Sequence, residues 1–232
     1  MAQGARKVNW FAIWVSAAVV VALVLVAVLV VTLNNASAPK PVPTDVNPPT
    51  SAGIEVETGA ILVGDGENRL DTFVDFMCPI CNQFEQVYGA EIESMVDDGS
   101  ITLGIHPISI LDDQSRGTQF STRAANAAYC VAEADPDASL PFLQAMFANQ
   151  PAEGSSGLTN NEILEIASGV GVTGIDSCVN DGKFAGYVTE MTPQTPIQPG
   201  SQGIGTPTVA VNGEVISNSQ LPEPGQLATL FE

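Results

Sequence analysis

The chain has 232 residues, 45% of them hydrophobic, enough for one ordinary domain plus a tail but not for two large cores. Its 26 acidic residues all lie from Asp45 onward, where only Arg69, Arg116, Arg123 and Lys183 oppose them, and the formal net charge of the whole chain is −19. Such an acidic surface excludes nucleic acid and anionic membrane faces as partners and is accounted for by solubility alone.

Residues 1–9 carry Arg6 and Lys7 and are expected on the cytoplasmic side. Trp10 to Leu33 then runs 24 residues without a charge. At ~1.5 Å of rise per helical residue this run is long enough for a bilayer core and predicts a transmembrane anchor over 10–33. The basic pair before it, with no further basic residue until Lys40, places everything beyond Leu33 outside the cytoplasm. Ala36-Ser37-Ala38 has the small-x-small pattern of a signal-peptidase site, so a cleaved leader is the competing reading. The run exceeds the ~7 to 15 residues of a cleavable apolar segment, which favours the anchor, and both readings export the remainder of the chain.

Residues 34–53 hold Pro39, Pro41, Pro43, Pro48 and Pro49 among small polar residues. This composition predicts an extended spacer that buries no core. The folded domain is expected over 54–232. Ile54 to Val63 has strand composition, followed by turn residues Gly64 to Asn68. Arg69 to Met77 reads as a strand buried on both faces and runs directly into Cys78.

Beyond Cys81 the period changes: Phe84, Val87, Tyr88, Ile92, Met95 and Val96 recur at helical spacing and Gly99 stops the run. Ile101 to Ile108 returns to strand composition, completing a β-α-β unit. Residues of about 114–190 read as a helical insertion, with runs at Thr122–Ala134, Leu140–Ala148 and Asn160–Val170. Thr208–Val211 and Val215–Ile216 flank Asn212-Gly213, a favoured two-residue hairpin turn, and Gln226 to Phe231 is expected to close the chain as a short helix. The order spells an α/β sandwich interrupted by an α-helical segment.

The chemistry is concentrated at Cys78-Pro79-Ile80-Cys81. Disulfide exchange needs one thiolate to attack and a second thiol near enough to resolve the mixed disulfide. A Cys-x-x-Cys opening a helix meets both needs, because free N–H groups and the helix dipole at the N-terminus favour a Cys78 thiolate, while Cys81, one turn in, is expected to be more buried. Pro79 suits the first helical turn, where its missing N–H is no loss. A zinc site would need two more close ligands, and the chain offers one histidine, His106, and two distant cysteines, so neither metal nor cofactor is expected beyond the dithiol itself. His106 is expected to be structural.

Phe73-Val74-Asp75-Phe76-Met77-Cys78-Pro79-Ile80-Cys81-Asn82-Gln83-Phe84-Glu85 resembles the active-site segment of DsbA-like proteins in the thioredoxin superfamily. Gly205-Thr206-Pro207-Thr208-Val209 resembles the cis-proline loop of the same family, and the helical insertion falls where that family carries one. The resemblance spans about residues 54 to 232. It implies a thioredoxin-like fold with Cys78 and Cys81 catalytic, a cis bond at Thr206-Pro207 packed against Cys78, and substrate paired along the Thr206 backbone. It also implies exported polypeptides with cysteines as substrates, and a DsbB-like or vitamin K epoxide reductase-like membrane protein as the recycling partner of an oxidase.

Two departures bear on the mechanism. Ile80 stands where strongly oxidising relatives carry a histidine that steadies the thiolate, which implies a less depressed Cys78 and a less oxidising pair. Thr72 stands where the superfamily usually buries an acid near the second cysteine, while strand parity directs Asp71 and Asp75 away from Cys81. The remaining pair, Cys130 and Cys178, is expected to form a structural disulfide within the insertion, with a redox relay to the active pair as the sharper alternative. Oxidation of exported proteins is the leading function; reductase or isomerase activity, or a non-catalytic chaperone-like binding module on the same fold, are the alternatives.

Overall fold

The structure, a computed structural model, describes residues 10–36 and 43–232, with backbone alone for 11–13 and 30–36. The segment 1–9, expected in the cytoplasm, and the middle of the spacer, 37–42, lie outside the described residues. Two units are distinguished, one up to Lys40 and one from Pro41 to Glu232.

The described residues of the first unit form one helix, α1 (Trp10–Ala36), without an acidic residue in its first turn or a basic one in its last. Trp14 and most of the valines and leucines from Val15 to Leu29 are exposed. Among the described residues no helix is long and apolar enough to cross a membrane.

The second unit is built on a six-stranded sheet in the order β1-β2-β4-β3-β5-β6. Its strands are β1 (Ile54–Glu55), β2 (Ala60–Val63), β3 (Asn68–Val74), β4 (Ile101–Pro107), β5 (Thr208–Val211) and β6 (Glu214–Ile216). β3 and β4 are parallel, with Leu70 opposite Leu103 and Thr72 opposite Ile105, and all other pairs are antiparallel. The helix α2 (Pro79–Asp97) makes the crossover between them and buries Phe84, Tyr88, Ile92 and Met95, the apolar stripe that its spacing sets up.

Five helices lie between β4 and β5: α3 (Phe120–Ala134), α4 (Ser139–Ala148), α5 (Asn160–Gly169), α6 (Asp176–Asn180) and α7 (Ala185–Met191). Helix α3 is buried along most of its length, and its alanines at 124, 125, 127, 128 and 132 leave neighbouring helices room to approach closely. Helix α5 starts on a capping box in which Thr159 accepts from the Glu162 N–H and Glu162 accepts from the Thr159 N–H. The disulfide Cys130–Cys178 joins α3 to α6.

Three expectations are corrected here. Ile54 to Val63 is not one strand but two, because the chain turns back through Gly59, whose φ of 77° only glycine adopts freely. The strand expected to reach Met77 ends at Val74, where the Asp75 side chain captures the Met77 N–H and so turns the backbone out of the ladder. The end of the spacer, expected to bury no core, lies against the domain. Pro49 is buried, the Thr50 hydroxyl donates to Glu133 at 3.2 Å, and a Cβ on Gly186 would strike the Asp45 carbonyl oxygen at 2.2 Å. Proline-rich chain is extended, and an extended chain lies readily along a helical surface that leaves glycines beneath it. The closing element is a 3-10 helix over Leu227–Phe231.

Candidate functional site

Cys78 is the N-cap residue of α2, with extended backbone (φ −75°, ψ 116°) and Pro79 in the first helical turn. Its Sγ donates to the Thr206 carbonyl oxygen at 3.4 Å. Cys81, one turn further, is completely buried, and its Sγ lies 2.7 Å from the Thr206 hydroxyl. The Thr206-Pro207 bond is cis. Cys78, Cys81, Thr206 and Pro207 thus meet at one end of the central strands, although 128 residues separate Cys78 from Thr206.

The two thiols are electrostatically unlike. The hydrogen bond from Cys81 is the largest influence on Cys78; with the N–H groups of Cys81 and Ile80, it brings the Cys78 pKa down to about 7 against burial and the charge of Asp75. Burial, reinforced by the neighbouring Cys78, pushes Cys81 well above the ordinary thiol value. One sulfur is therefore a thiolate near neutrality and the other a thiol, the division of labour that attack and resolution require. Ile80 is 52% exposed and presents an apolar surface beside the pair.

The two acids that strand parity directs away from Cys81, Asp71 and Asp75, have different surroundings. Parity holds for Asp71, which lies away from the thiols with His106 Nε2 at 2.8 Å and Arg69 Nη2 at 2.8 Å, Arg69 reaching on to Glu55 at 2.7 Å. Although Asp71 is largely buried, those hydrogen bonds hold its carboxyl below the ordinary range. His106 stacks on Phe73 with ring centroids 3.9 Å apart. This cluster floors a cavity of about 700 Å³ on the face of β3 that carries Asp71 and Phe73. A Cβ on Gly104 would meet the Asp71 Oδ1 at 2.1 Å, so β4 needs glycine there.

Asp75, by contrast, lies past the end of β3, where alternation no longer applies. Its carboxylate is fully buried and accepts from the Met77 N–H at 2.9 Å, the Ser121 hydroxyl at 2.7 Å and the Leu111 N–H at 2.9 Å. Burial pushes its pKa up to about 6 against those three donors. Thr72 is buried and supplies no carboxylate.

Gln150 carries no signal in the sequence. Just beyond α4, its Nε2 donates to the carbonyl oxygens of Phe76 (3.0 Å) and Cys78 (2.9 Å), and its Oε1 accepts from Asn82 at 3.1 Å. No periodicity marks a lone glutamine in a loop as a neighbour of residues about 70 positions away. Cys130 and Cys178 are bonded to each other, which leaves Cys78 and Cys81 as the free thiols. Among the described residues no group of three or more His, Cys, Asp or Glu is placed to hold a metal.

Comparison with known proteins gives a consistent picture. The family described as Thioredoxin matches residues 59–227. The fold superposes on the reduced crystal structure of DsbA from Mycobacterium tuberculosis with a TM-score of 0.59 and 30% identity, covering 68% of this chain and 85% of that one. It also superposes on the reduced disulfide bond oxidoreductase DsbG of the same organism with a TM-score of 0.60 and 27% identity, covering 78% and 89%. The serine/threonine-protein kinase PknE of M. tuberculosis is 33% identical over 187 residues, 77% of this chain but only 32% of the kinase. The chain thus spans about a third of the length of that curated relative.

Proposed function

We propose that this chain, which belongs to the thioredoxin family and is a DsbA-like thiol-disulfide oxidoreductase, works outside the cytoplasm on a membrane tether and oxidises exported, cysteine-containing polypeptides through Cys78 and Cys81. The observation that carries this reading is the asymmetric pair itself: a Cys78 sulfur brought to about 7, beside a buried Cys81, facing the Thr206 carbonyl oxygen at 3.4 Å.

In the oxidising direction a substrate thiolate attacks the Cys78 sulfur of the Cys78–Cys81 disulfide. The sulfur–sulfur bond breaks, Cys81 leaves as a thiolate and takes up a proton, and a mixed disulfide forms with Cys78. A second substrate thiolate then attacks the substrate sulfur of that bond and releases Cys78 as a thiolate. Two electrons pass from substrate to the pair. Cys78 is the better leaving group of the two because its thiolate is the stabilised one. The Thr206 backbone lies beside Cys78, where an extended substrate strand can pair with it, a mode that accepts many sequences. The exposed Ile80 offers such a strand an apolar contact.

Export and tethering are supported by the charge-free run Trp10–Leu33, by Arg6 and Lys7 before it, and by the exposed apolar side chains of α1. A membrane redox partner of the DsbB or vitamin K epoxide reductase kind would return the pair to its disulfide. The test is oxidative refolding of a reduced model protein by the disulfide form of the chain, with Cys78→Ser as control. Stoichiometric oxidation by the parent, lost in the variant, supports the reading; equal rates with and without the protein overturn it. The potential of the pair then sets the direction, ~−120 mV marking an oxidase and ~−270 mV a reductase.

A further inference from the structure

Asp75 is not needed for either exchange step above, yet it is a fully buried carboxylate three residues before Cys78. Its three donors come from three places: Met77 in its own turn, Leu111 in the connection after β4, and Ser121 in α3. The backbone closes the same knot, since the Cys78 N–H donates to the Asp75 carbonyl oxygen at 2.9 Å and the Asp75 N–H to the Thr206 hydroxyl at 3.2 Å. A buried carboxylate held by three donors is fixed in place, and its charge joins burial in raising the Cys78 thiol against the donors that lower it.

We infer that Asp75 is a positioning residue of the dithiol: it ties the cysteine-bearing turn to the helical segment, and its charge disfavours the Cys78 thiolate, holding the pair less oxidising than its geometry alone would make it. This rests on the dithiol reading of the site. The sign is fixed by electrostatics, because a like charge raises the free energy of the thiolate but not of the disulfide, and so favours the disulfide. The balanced equilibrium is disulfide plus two glutathione thiols giving dithiol plus glutathione disulfide. The titratable groups acting on this carboxyl and its thiol are Cys78, Cys81 and Asp112, and the Asp112 charge adds to burial in resisting ionisation of Asp75. Below about pH 6 Asp75 takes up a proton and the opposition to the Cys78 thiolate is relieved.

Two measurements on the full-length dithiol form test this: the pH profile of Cys78 alkylation by iodoacetamide, and the glutathione equilibrium. With Asp75→Asn the alkylation midpoint should fall by about 0.5 and the equilibrium shift about threefold toward the dithiol, ~14 mV at 29.6 mV per tenfold. An unchanged midpoint in a folded Asp75→Asn protein overturns the inference. Ser121→Ala keeps the charge but removes one donor, so the upper midpoint should stay while the lower inflection, near pH 6 in the parent, moves up. Should Asp75→Asn fail to fold, a lower inflection that does not move in Ser121→Ala overturns it equally. Failure of the parent to exchange with glutathione would instead count against the proposed function, since alkylation needs no exchange partner.

Discussion

The Thr206 hydroxyl lies 2.7 Å from the Cys81 sulfur and also donates to the Phe73 carbonyl oxygen at 3.2 Å while accepting the Asp75 N–H at 3.2 Å. One side chain on the loop before β5 therefore touches the resolving thiol, the last part of β3 and the turn that carries Cys78. The hydroxyl has one proton; turned from the Phe73 carbonyl to the Cys81 sulfur it favours the thiolate, and with the Asp75 backbone it eases ionisation of Cys81 against burial and the neighbouring Cys78.

Thr206→Val keeps the shape and removes the hydroxyl. Cys81 should ionise less readily and resolve more slowly, so a mixed disulfide of Cys78 with glutathione should persist several-fold longer, measured by acid quench and mass spectrometry. The Asp75 N–H loses its side-chain acceptor, at a cost of about 1 to 3 kcal/mol in denaturant unfolding. Thr206→Ser should restore both; an unaltered lifetime in Thr206→Val would rule out this role.

Gln150→Ala leaves the carbonyl oxygens of Phe76 and Cys78 without the amide that binds both. The expected loss is about 1 to 2 kcal/mol in urea unfolding. Gln150→Glu should be worse than alanine at neutral pH, because it turns an acceptor toward two acceptors. A glutamate variant as stable as the parent would contradict the contact.

Removing the Cys130–Cys178 bond opens a loop with a sequence separation of 48. The chain-entropy model gives a loss of about 4 kcal/mol. The double variant Cys130→Ala/Cys178→Ala should unfold at lower denaturant yet keep the exchange rate of Cys78. A rate that falls with the bond, in protein still folded, would favour the redox relay over the structural role.

Glu85 on α2 has its pKa pushed up to about 7 by burial and by the nearby Glu93 charge. A carboxyl raised in the folded state contributes stability that is present below its unfolded value of ~4.3 and is lost as pH rises through about 7. Glu85→Gln should therefore be stabilising by about 3 to 4 kcal/mol at pH 8 and close to neutral at pH 4, as read by thermal unfolding at both values. Equal effects at the two pH values would show that the carboxyl does not titrate as placed.

The local signals were strong where short-range patterning dictates structure. The apolar run before Cys78 could only be a buried strand, the stripe from Phe84 to Val96 only an amphipathic helix, and Asn212-Gly213 only a hairpin, so the β-α-β unit and the dithiol at its helix start were legible residue by residue. The paired cysteines also declared their chemistry, because a two-residue gap at a helix N-terminus brings the sulfurs together whatever surrounds them. Contacts across long separations were not legible. Alternation directs Asp75 away from Cys81 but does not name its partners, because the strand ends at Val74 and tertiary packing delivers Leu111 and Ser121 to its carboxylate. Gln150 likewise depends on how the helical segment closes over the sheet, and the Thr206 hydroxyl on how the loop before β5 meets the end of β3. The sequence by itself determined that this protein carries a Cys-x-x-Cys dithiol on a thioredoxin-like frame. Only the tertiary structure decided which buried groups surround that dithiol, because charge and hydrogen bonding act through space while periodicity records only the chain.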